Sequence, residues 1–180
     1  MDSVPTLCNL LQSEDKMVVE KAASCLISIV ASFNGSVELL DQLCHQGVIE
    51  KVLPLINTGR LSSLSRSTCS NLVGLLTKLA CNSLVAVKSL FELNVGNTIS
   101  RILVTSDLSH GMPYLLLETQ NNQVNEALKL ANQLVPLVPS AARDVDSTQM
   151  VLAKEKIIVD EPRFLCQFSR EILPVLIKVG

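Results

Sequence analysis

Aromatic residues are scarce in this sequence: tryptophan is absent, and four phenylalanines and one tyrosine make up 3% of the 180 residues. Leucine and small residues fill most apolar positions at spacings of three and four, which is typical of α-helices. The seven glycines are scattered, all except Gly74 at predicted helix ends and turns, so the sequence has no glycine-rich phosphate loop. We therefore expect an all-α fold, built on a core for which 48% apolar residues are ample.

Neither sign of charge dominates, and long apolar runs are missing. Fifteen basic and 17 acidic residues give a formal net charge of -2, which leaves no basic surplus to neutralise phosphates. No apolar run approaches the roughly 18 residues that a membrane span needs. The N-terminal Met1–Pro5 segment also lacks the basic and then apolar pattern of a secretory signal. We expect an intracellular protein with no nucleic-acid or membrane partner.

Six cysteines stand at irregular spacings, which favours reduced thiols over a disulfide framework. Cys25, Cys69 and Cys166 are expected to be buried as small hydrophobic residues. Cys44 and His45 form the only adjacent thiol and imidazole pair, but neighbours in sequence do not face each other on a helix. The sequence therefore predicts no catalytic residue, no metal site and no cofactor.

Helical periodicity recurs along the chain with a period of about 45 to 47 residues, as shown by the separations of Leu7 from Val52, of Leu26 from Leu72 and of Leu43 from Leu90. A repeat of this length made of two or three helices indicates a HEAT or armadillo array. Ser13 or Asp15 is placed to cap the first long helix, and Gly47 to end the next one. The predicted helices are Asp15–Phe33, Val37–His45, Val48–Ile56, Leu64–Cys81, Ser83–Leu93, Thr98–Val104, Asn122–Leu134, Arg163–Ser169 and Arg170–Lys178.

These helices predict an armadillo-type right-handed α-solenoid over residues 1–180. Its units are a partial repeat 1–33, repeats 36–81 and 83–135, and a partial repeat 162–180. A loop is predicted at 105–120 inside the second full repeat. An irregular linker is predicted at 140–161, with a β-prone segment Lys156–Val159.

Both ends of the chain carry the pattern of a second helix, Val4–Leu11 and Ile172–Lys178, without the polar face of a terminal repeat. We expect the chain to be a fragment of a longer array, which also accounts for a mean hydropathy of +0.38. The uncapped ends are expected to allow self-association through Leu7, Leu10 and Leu11 or through Ile172, Leu173 and Leu176.

Several short stretches resemble a known family. Leu7–Leu11 followed by Ala22–Leu26 resembles the second and third helices of armadillo repeats. Val4–Leu11, Leu39–Cys44, Gly47-Val48 and Leu130–Leu134 are similar, in order, to the N-terminal armadillo region of plant HECT-type E3 ubiquitin-protein ligases of the KAKTUS group. That group is related to the animal thyroid-receptor-interactor ligase.

This resemblance implies a region that recruits protein substrates on its concave face, within a longer chain whose distant HECT domain carries ubiquitin on a cysteine. It also implies a location in the nucleus or the cytoplasm. None of the six cysteines corresponds to the HECT cysteine, so no catalytic residue is carried over. The alternative is a non-catalytic armadillo scaffold or transport adaptor that is unrelated to ubiquitin.

The long third helices of armadillo repeats line the concave groove, and nuclear-import receptors place Trp and Asn there. The aligned positions here hold Ser24 and Ser28, Ser70 and Gly74, and Lys129 and Gln133, so this ladder is missing and an import-receptor mode is disfavoured. Gly74 inside a helix indicates either close packing by the next repeat or the close approach of a ligand, and close packing is favoured. The residues predicted to line a protein-binding groove, unless they are only the solvated face of their helices, are Ser24, Ser28, Arg66, Ser70, Asn71, Lys129 and Gln133.

Overall fold

A computed structural model describes residues 3–33, 35–57, 64–107, 114–134, 145–174 and 177, except for the side chains of 105–107, 114–121 and 145–148. All regular structure in these ranges is helical, which confirms the predicted all-α class. The helices are α1 Ser3–Leu10, α2 Lys16–Ser32, α3 Val37–His45, α4 Val48–Asn57, α5 Arg66–Asn82, α6 Leu84–Glu92, α7 Val95–Asp107, α8 Tyr114–Leu134, α9 Val145–Asp160 and α10 Pro162–Gln167. A π-helical turn, Phe168–Ile172, directly continues α10.

Side-chain caps start the helices where short polar residues precede apolar periodicity. The Asp15 carboxylate accepts a hydrogen bond from the Met17 amide at 2.8 Å, which confirms one of the two predicted caps. Ser65 accepts from the Thr68 amide at 3.1 Å at the start of α5, and Ser83 accepts from the Ala86 amide at 3.0 Å at the start of α6. Gly47 follows α3 with a φ of +81°, a conformation that suits glycine and confirms it as the predicted end signal.

Each of the helices α1 to α6 packs against the helix that lies three places later in the chain. Helix α5 lies between α2 and α8, α4 lies between α1 and α7, and α6 lies between α3 and α9. The contact of α5 with α8 is the most extensive between any two of the described helices. The core runs continuously between these three sets of helices and contains fully buried leucines from several of them, including Leu26, Leu40, Leu72, Leu76 and Leu90.

Hydrogen bonds near helix ends join helices that lie three places apart in the chain. The Glu20 carboxylate on α2 accepts from the amide of Ser65, the residue that caps α5, at 2.8 Å. Thr98 on α7 donates to the Asn57 side chain on α4 at 2.8 Å, and Arg101 donates to the backbone carbonyls of Ile56 and Asn57. The bonds of Glu20 and Arg101 satisfy a backbone amide and carbonyls at helix ends, where partners within the helix are missing.

The structure corrects two predicted irregular segments. Helix α7 extends to Asp107 and α8 begins at Tyr114, so the predicted loop 105–120 is wrong for 105–107 and 114–120. Residues 108–113 lie outside the described ranges. Helix α9 covers most of the predicted linker 140–161, and its β-prone segment Lys156–Val159 is helical. Packing of Ile158, which is 1% exposed, outweighs the weak preference of β-branched residues for strands.

The end of the described chain also differs from the prediction. A break was predicted between Ser169 and Arg170, but one helical segment runs through both residues, from Pro162 to Pro174, with the π-helical turn inside it. Of the residues predicted to mediate self-association, Leu11 and Ile172 are buried, Leu7 is partly buried, and Leu10 and Leu173 are exposed. Leu176 lies outside the described residues, and self-association stays a prediction. Within the described ranges, no helix combines the length and the apolar character that crossing a bilayer requires.

Candidate functional site

An open cleft of about 500 Å³ crosses helices α2, α5 and α8. Its apolar lining consists of Ile27, Val30 and Ala31 from α2 and Leu75 from α5. Its polar lining comes from α5 and α8: Arg66, Ser67, Ser70, Asn71, Lys78, Asn122, Asn125, Glu126 and Lys129. The cleft thus combines an apolar surface with many hydrogen-bond donors, the composition of a site that recognises another molecule.

Four of the seven predicted groove residues meet in this cleft: Arg66, Ser70, Asn71 and Lys129. Ser24 and Ser28 are exposed on α2 but do not line it, and the Ser28 hydroxyl donates to the Ser24 carbonyl at 3.0 Å. Gln133 is also outside the cleft, because its side-chain oxygen accepts a hydrogen bond from Lys154 at 3.3 Å. The cleft therefore contains all three predicted residues of α5, but only Lys129 of the two predicted residues of α8.

The charged side chains that line the cleft have a net positive charge. Lys129 and Glu126 form an ion pair with a 2.7 Å separation between Nζ and Oε1. Arg66 and Lys78 make no ion pair within the part of the chain that the structure describes. These two cations therefore give the cleft an excess positive charge, although the whole chain carries a net charge of -2.

Sequence reasoning missed Lys78, Asn122 and Asn125. Lys78 follows Asn71 by seven residues, which places both side chains on one face of α5. Asn122, Asn125 and Lys129 share a face of α8 in the same way, at spacings of three and four. This periodicity could have identified them once Asn71 and Lys129 had been selected.

Gly74 lines the cleft on α5 and lies next to the Glu126 side chain of α8. A Cβ atom added to Gly74 would lie 3.1 Å from Oε2 of Glu126, which is tighter than ordinary van der Waals contact. The predicted close packing at this glycine is confirmed. The absence of a side chain at Gly74 leaves room for the Glu126 carboxylate that pairs with Lys129.

Lys154 attaches α9 to the ends of α5 and α8. Its ammonium group is buried and donates to the Cys81 carbonyl at 3.2 Å and to the Gln133 side chain at 3.3 Å. Burial lowers the pKa of Lys154 below its usual value of 10.5, because desolvation disfavours the charged form. Gln133 therefore belongs to a structural contact between helices, and not to the cleft.

The six cysteines divide evenly between the interior and the surface. Cys8, Cys44 and Cys69 are buried, whereas Cys25, Cys81 and Cys166 are exposed. The prediction of burial is therefore confirmed for Cys69 and wrong for Cys25 and Cys166, which lie on the solvent-facing sides of α2 and α10.

The buried thiols are in their unreactive form at neutral pH. Burial raises the pKa of Cys44 and that of Cys69 to about 11, because a thiolate is poorly solvated in the interior. Cys44 lies 3.9 Å from the Ser83 hydroxyl, while its neighbour His45 is exposed. Across the described residues, no group of three or more His, Cys, Asp or Glu side chains is arranged to hold a metal ion.

We expect the purified chain to form no ubiquitin thioester. When it is mixed with a ubiquitin-activating enzyme, a loaded conjugating enzyme and ATP, non-reducing gels should show no reductant-sensitive ubiquitin adduct. The three buried thiols are protonated and therefore cannot act as nucleophiles, and none of the exposed thiols Cys25, Cys81 and Cys166 is expected to correspond to the HECT cysteine. A reductant-sensitive adduct that disappears when one of Cys25, Cys81 or Cys166 is replaced by alanine would contradict this expectation.

Sequence comparisons relate this helical chain to plant E3 ubiquitin-protein ligases. It is 39% identical over 180 residues to E3 ubiquitin-protein ligase UPL4 and 31% identical over 208 residues to E3 ubiquitin-protein ligase UPL3, both of Arabidopsis thaliana. Each alignment covers 99% of this chain, which spans 12% of the length of the first relative and 11% of the second. The predicted resemblance to a region of plant HECT-type E3 ubiquitin-protein ligases is confirmed.

A more distant relative comes from a fungus. A probable ubiquitin fusion degradation protein of Schizosaccharomyces pombe is 22% identical over 154 residues, which cover 82% of this chain and 9% of that protein. No protein-family model matches the chain, and no solved structure matches it.

Proposed function

We propose that this chain is a substrate-recruiting region of a HECT-type E3 ubiquitin-protein ligase, folded as a segment of an armadillo-type α-solenoid. The cleft across α2, α5 and α8 is the surface that holds substrate proteins. The observation that carries the proposal is the meeting of Arg66, Ser70, Asn71 and Lys129 in one open cleft, on a chain similar to plant ubiquitin ligases along nearly its full length.

The packing of every third helix supports the armadillo part of the proposal. Hydrogen bonds between helices three places apart, or between one helix and the residue that caps the other, connect residues 39 to 49 positions apart, such as Asn57 with Thr98, Glu20 with Ser65 and Thr77 with Glu126. These separations bracket the 45 to 47 residues over which the apolar pattern recurs. A stack of three-helix repeats places equivalent residues of neighbouring repeats in contact, and so accounts for both numbers.

Recruitment by this region acts on the concentration of the substrate. A protein held in the cleft has its lysines confined near a ubiquitin thioester carried elsewhere on the same ligase chain. Confinement converts a bimolecular encounter into an intramolecular one, with an effective concentration of the order of millimolar for a short flexible connection. The cleft itself makes and breaks no covalent bond in this scheme.

The test uses a chimaera in which this chain replaces the matching segment of Arabidopsis UPL4. One variant replaces Arg66, Asn71 and Lys129 by alanine, and the control variant replaces three exposed residues outside the cleft, Asn9, Lys88 and Lys156. Ubiquitin-remnant mass spectrometry of plant extract proteins measures transfer to substrates, and a non-reducing gel measures the thioester on the ligase. We expect about tenfold less substrate modification for the cleft variant, with its thioester unchanged.

The control variant is expected to modify the same proteins as the unsubstituted chimaera, to within twofold. Equal substrate modification by the cleft variant and the control variant would refute the assignment of the cleft as the substrate surface.

A further inference from the structure

We infer that the cleft across α2, α5 and α8 binds an extended peptide segment rich in aspartate and glutamate. This inference rests on the proposed function and specifies the class of substrate that the cleft selects. Its basis is the charge and the hydrogen-bonding state of the residues that line the cleft.

The excess charge of the cleft is positive and available to a ligand. Of its four charged side chains, Glu126 and Lys129 neutralise each other at 2.7 Å, and Arg66 and Lys78 are left with no carboxylate partner among the described residues. A positive cleft on a chain of net charge -2 attracts carboxylates and repels basic segments. Arg66 is exposed and Lys78 is half-buried, so both ammonium and guanidinium groups can reach a ligand in the cleft.

Three amide side chains supply the means to hold a peptide backbone. Asn71 on α5 and Asn122 and Asn125 on α8 are exposed, and none of them makes a side-chain hydrogen bond within the described part of the chain. A carboxamide both donates and accepts, so it can pair with the carbonyl and the amide of an extended peptide at the same time. Lysine and arginine side chains cannot pair with a peptide backbone in this way, because they donate hydrogen bonds and do not accept them.

The dimensions of the cleft suit an extended segment. The axes of packed helices lie about 8–10 Å apart, so the path from α2 across α5 to α8 is roughly 20 Å long. An extended chain covers this distance with about six residues. The apolar lining from Ile27, Val30 and Leu75 gives the aliphatic parts of such a peptide a contact surface.

The test measures binding of three labelled eight-residue peptides to the purified chain by fluorescence anisotropy. The peptides alternate serine with glutamate, with glutamine or with lysine. We expect the glutamate peptide to bind at least tenfold more tightly than the other two. Because exposed charges are screened by salt, its affinity should fall severalfold between 50 and 300 mM NaCl.

Two substitutions test the site. Lys78→Glu reverses a charge in the cleft, and Asn125→Asp adds a negative charge with almost no change in shape, so at least one variant is expected to keep its helical circular dichroism. Each should weaken binding of the glutamate peptide at least tenfold. The matched control Lys88→Glu, on an exposed position of α6 outside the cleft, should change it less than twofold.

Other outcomes overturn the inference. In one of them, the glutamine or lysine peptide binds as tightly as the glutamate peptide or more tightly, and this binding is lost in the cleft variants. The cleft would then bind proteins with a different preference, and the proposed function would stand. Glutamate-peptide binding that survives both cleft substitutions would place the acidic ligand elsewhere on the chain. Tighter binding of a single-stranded oligonucleotide than of the glutamate peptide would replace the peptide by a nucleic acid as ligand.

Discussion

Replacement of Leu76 by alanine is expected to lower the free energy of unfolding by about 3–4 kcal/mol. Leu76 is fully buried in α5, the helix that packs against both α2 and α8. The substitution removes buried methyl groups and leaves a cavity, and both effects contribute to a loss of this size for a buried leucine. Urea denaturation followed by far-ultraviolet circular dichroism measures the change, as a shift of the midpoint at constant slope.

The matched control for this substitution is Met17→Ala on α2. Met17 is also an apolar helical residue, but it is 60% exposed, so its truncation is expected to change the stability by less than about 0.5 kcal/mol. A cost below about 1 kcal/mol for Leu76→Ala, comparable to that of the control, would show that α5 is not the central helix of the core.

Alkaline conditions are expected to destabilise the chain through its buried thiols. The pKa of Cys44 and that of Cys69 are raised by burial from 9.0 to about 11. A raised pKa in the folded state means that these thiols contribute stability that is fully present below pH 9 and is lost as the pH rises through 11. With 1.36 kcal/mol for each pKa unit, the loss is about 2 kcal/mol for each thiol at pH 11.

A double variant, Cys44→Ala with Cys69→Ala, isolates this contribution. Denaturation of both proteins in reducing buffer between pH 8 and pH 11 should show a smaller decrease in stability for the variant, by about 4 kcal/mol at the upper end. The lowered pKa of Lys154 acts in the opposite direction, but it is present in both proteins and cancels in the comparison. The exposed Cys25→Ala substitution is the control, and it should leave the pH dependence unchanged. Parallel pH profiles for the double variant and the parent chain would contradict the prediction.

Much of the helical order could be predicted from the sequence, because local signals and burial agree there. Val37–His45 is a helix with the predicted ends, and Gly47 supplies the left-handed turn after it. Asp15 caps α2 because a carboxylate one turn before an apolar stripe satisfies an amide that the helix leaves free. In these segments the packing of the helices agrees with the local sequence signals.

Prediction failed where local signals and packing disagree. The β-branched run Lys156–Val159 prefers a strand when taken alone, but α9 packs against α6 and buries Ile158 and Lys154. The predicted loop 105–120 is also wrong where the structure describes it, because α7 extends to Asp107 and α8 begins at Tyr114. A propensity of a few tenths of a kcal/mol per residue is easily outweighed by burial of one large side chain.

The candidate site, like the fold, could be predicted from the sequence only in part. The resemblance to the third helices of armadillo repeats predicted Arg66, Ser70 and Asn71 of α5 as groove residues, and the cleft contains all three. The resemblance could not decide between Lys129 and Gln133 on α8, because that choice depends on Lys154, which reaches Gln133 from a helix further along the chain. Contacts between residues far apart in sequence are set by the packing of the helices, and a single sequence does not specify them.

Ser83 is the single residue between α5 and α6, and its hydrogen bonds fix the corner between these two helices. Its amide donates to the Leu79 carbonyl at 2.9 Å, its hydroxyl accepts from the Ala86 amide and donates to the Asp41 carboxylate, and the residue is fully buried. Because only this bonded residue separates the two helices, we expect a tilt of α5 to move α6 as well, together with the surface of α6 that packs against α9.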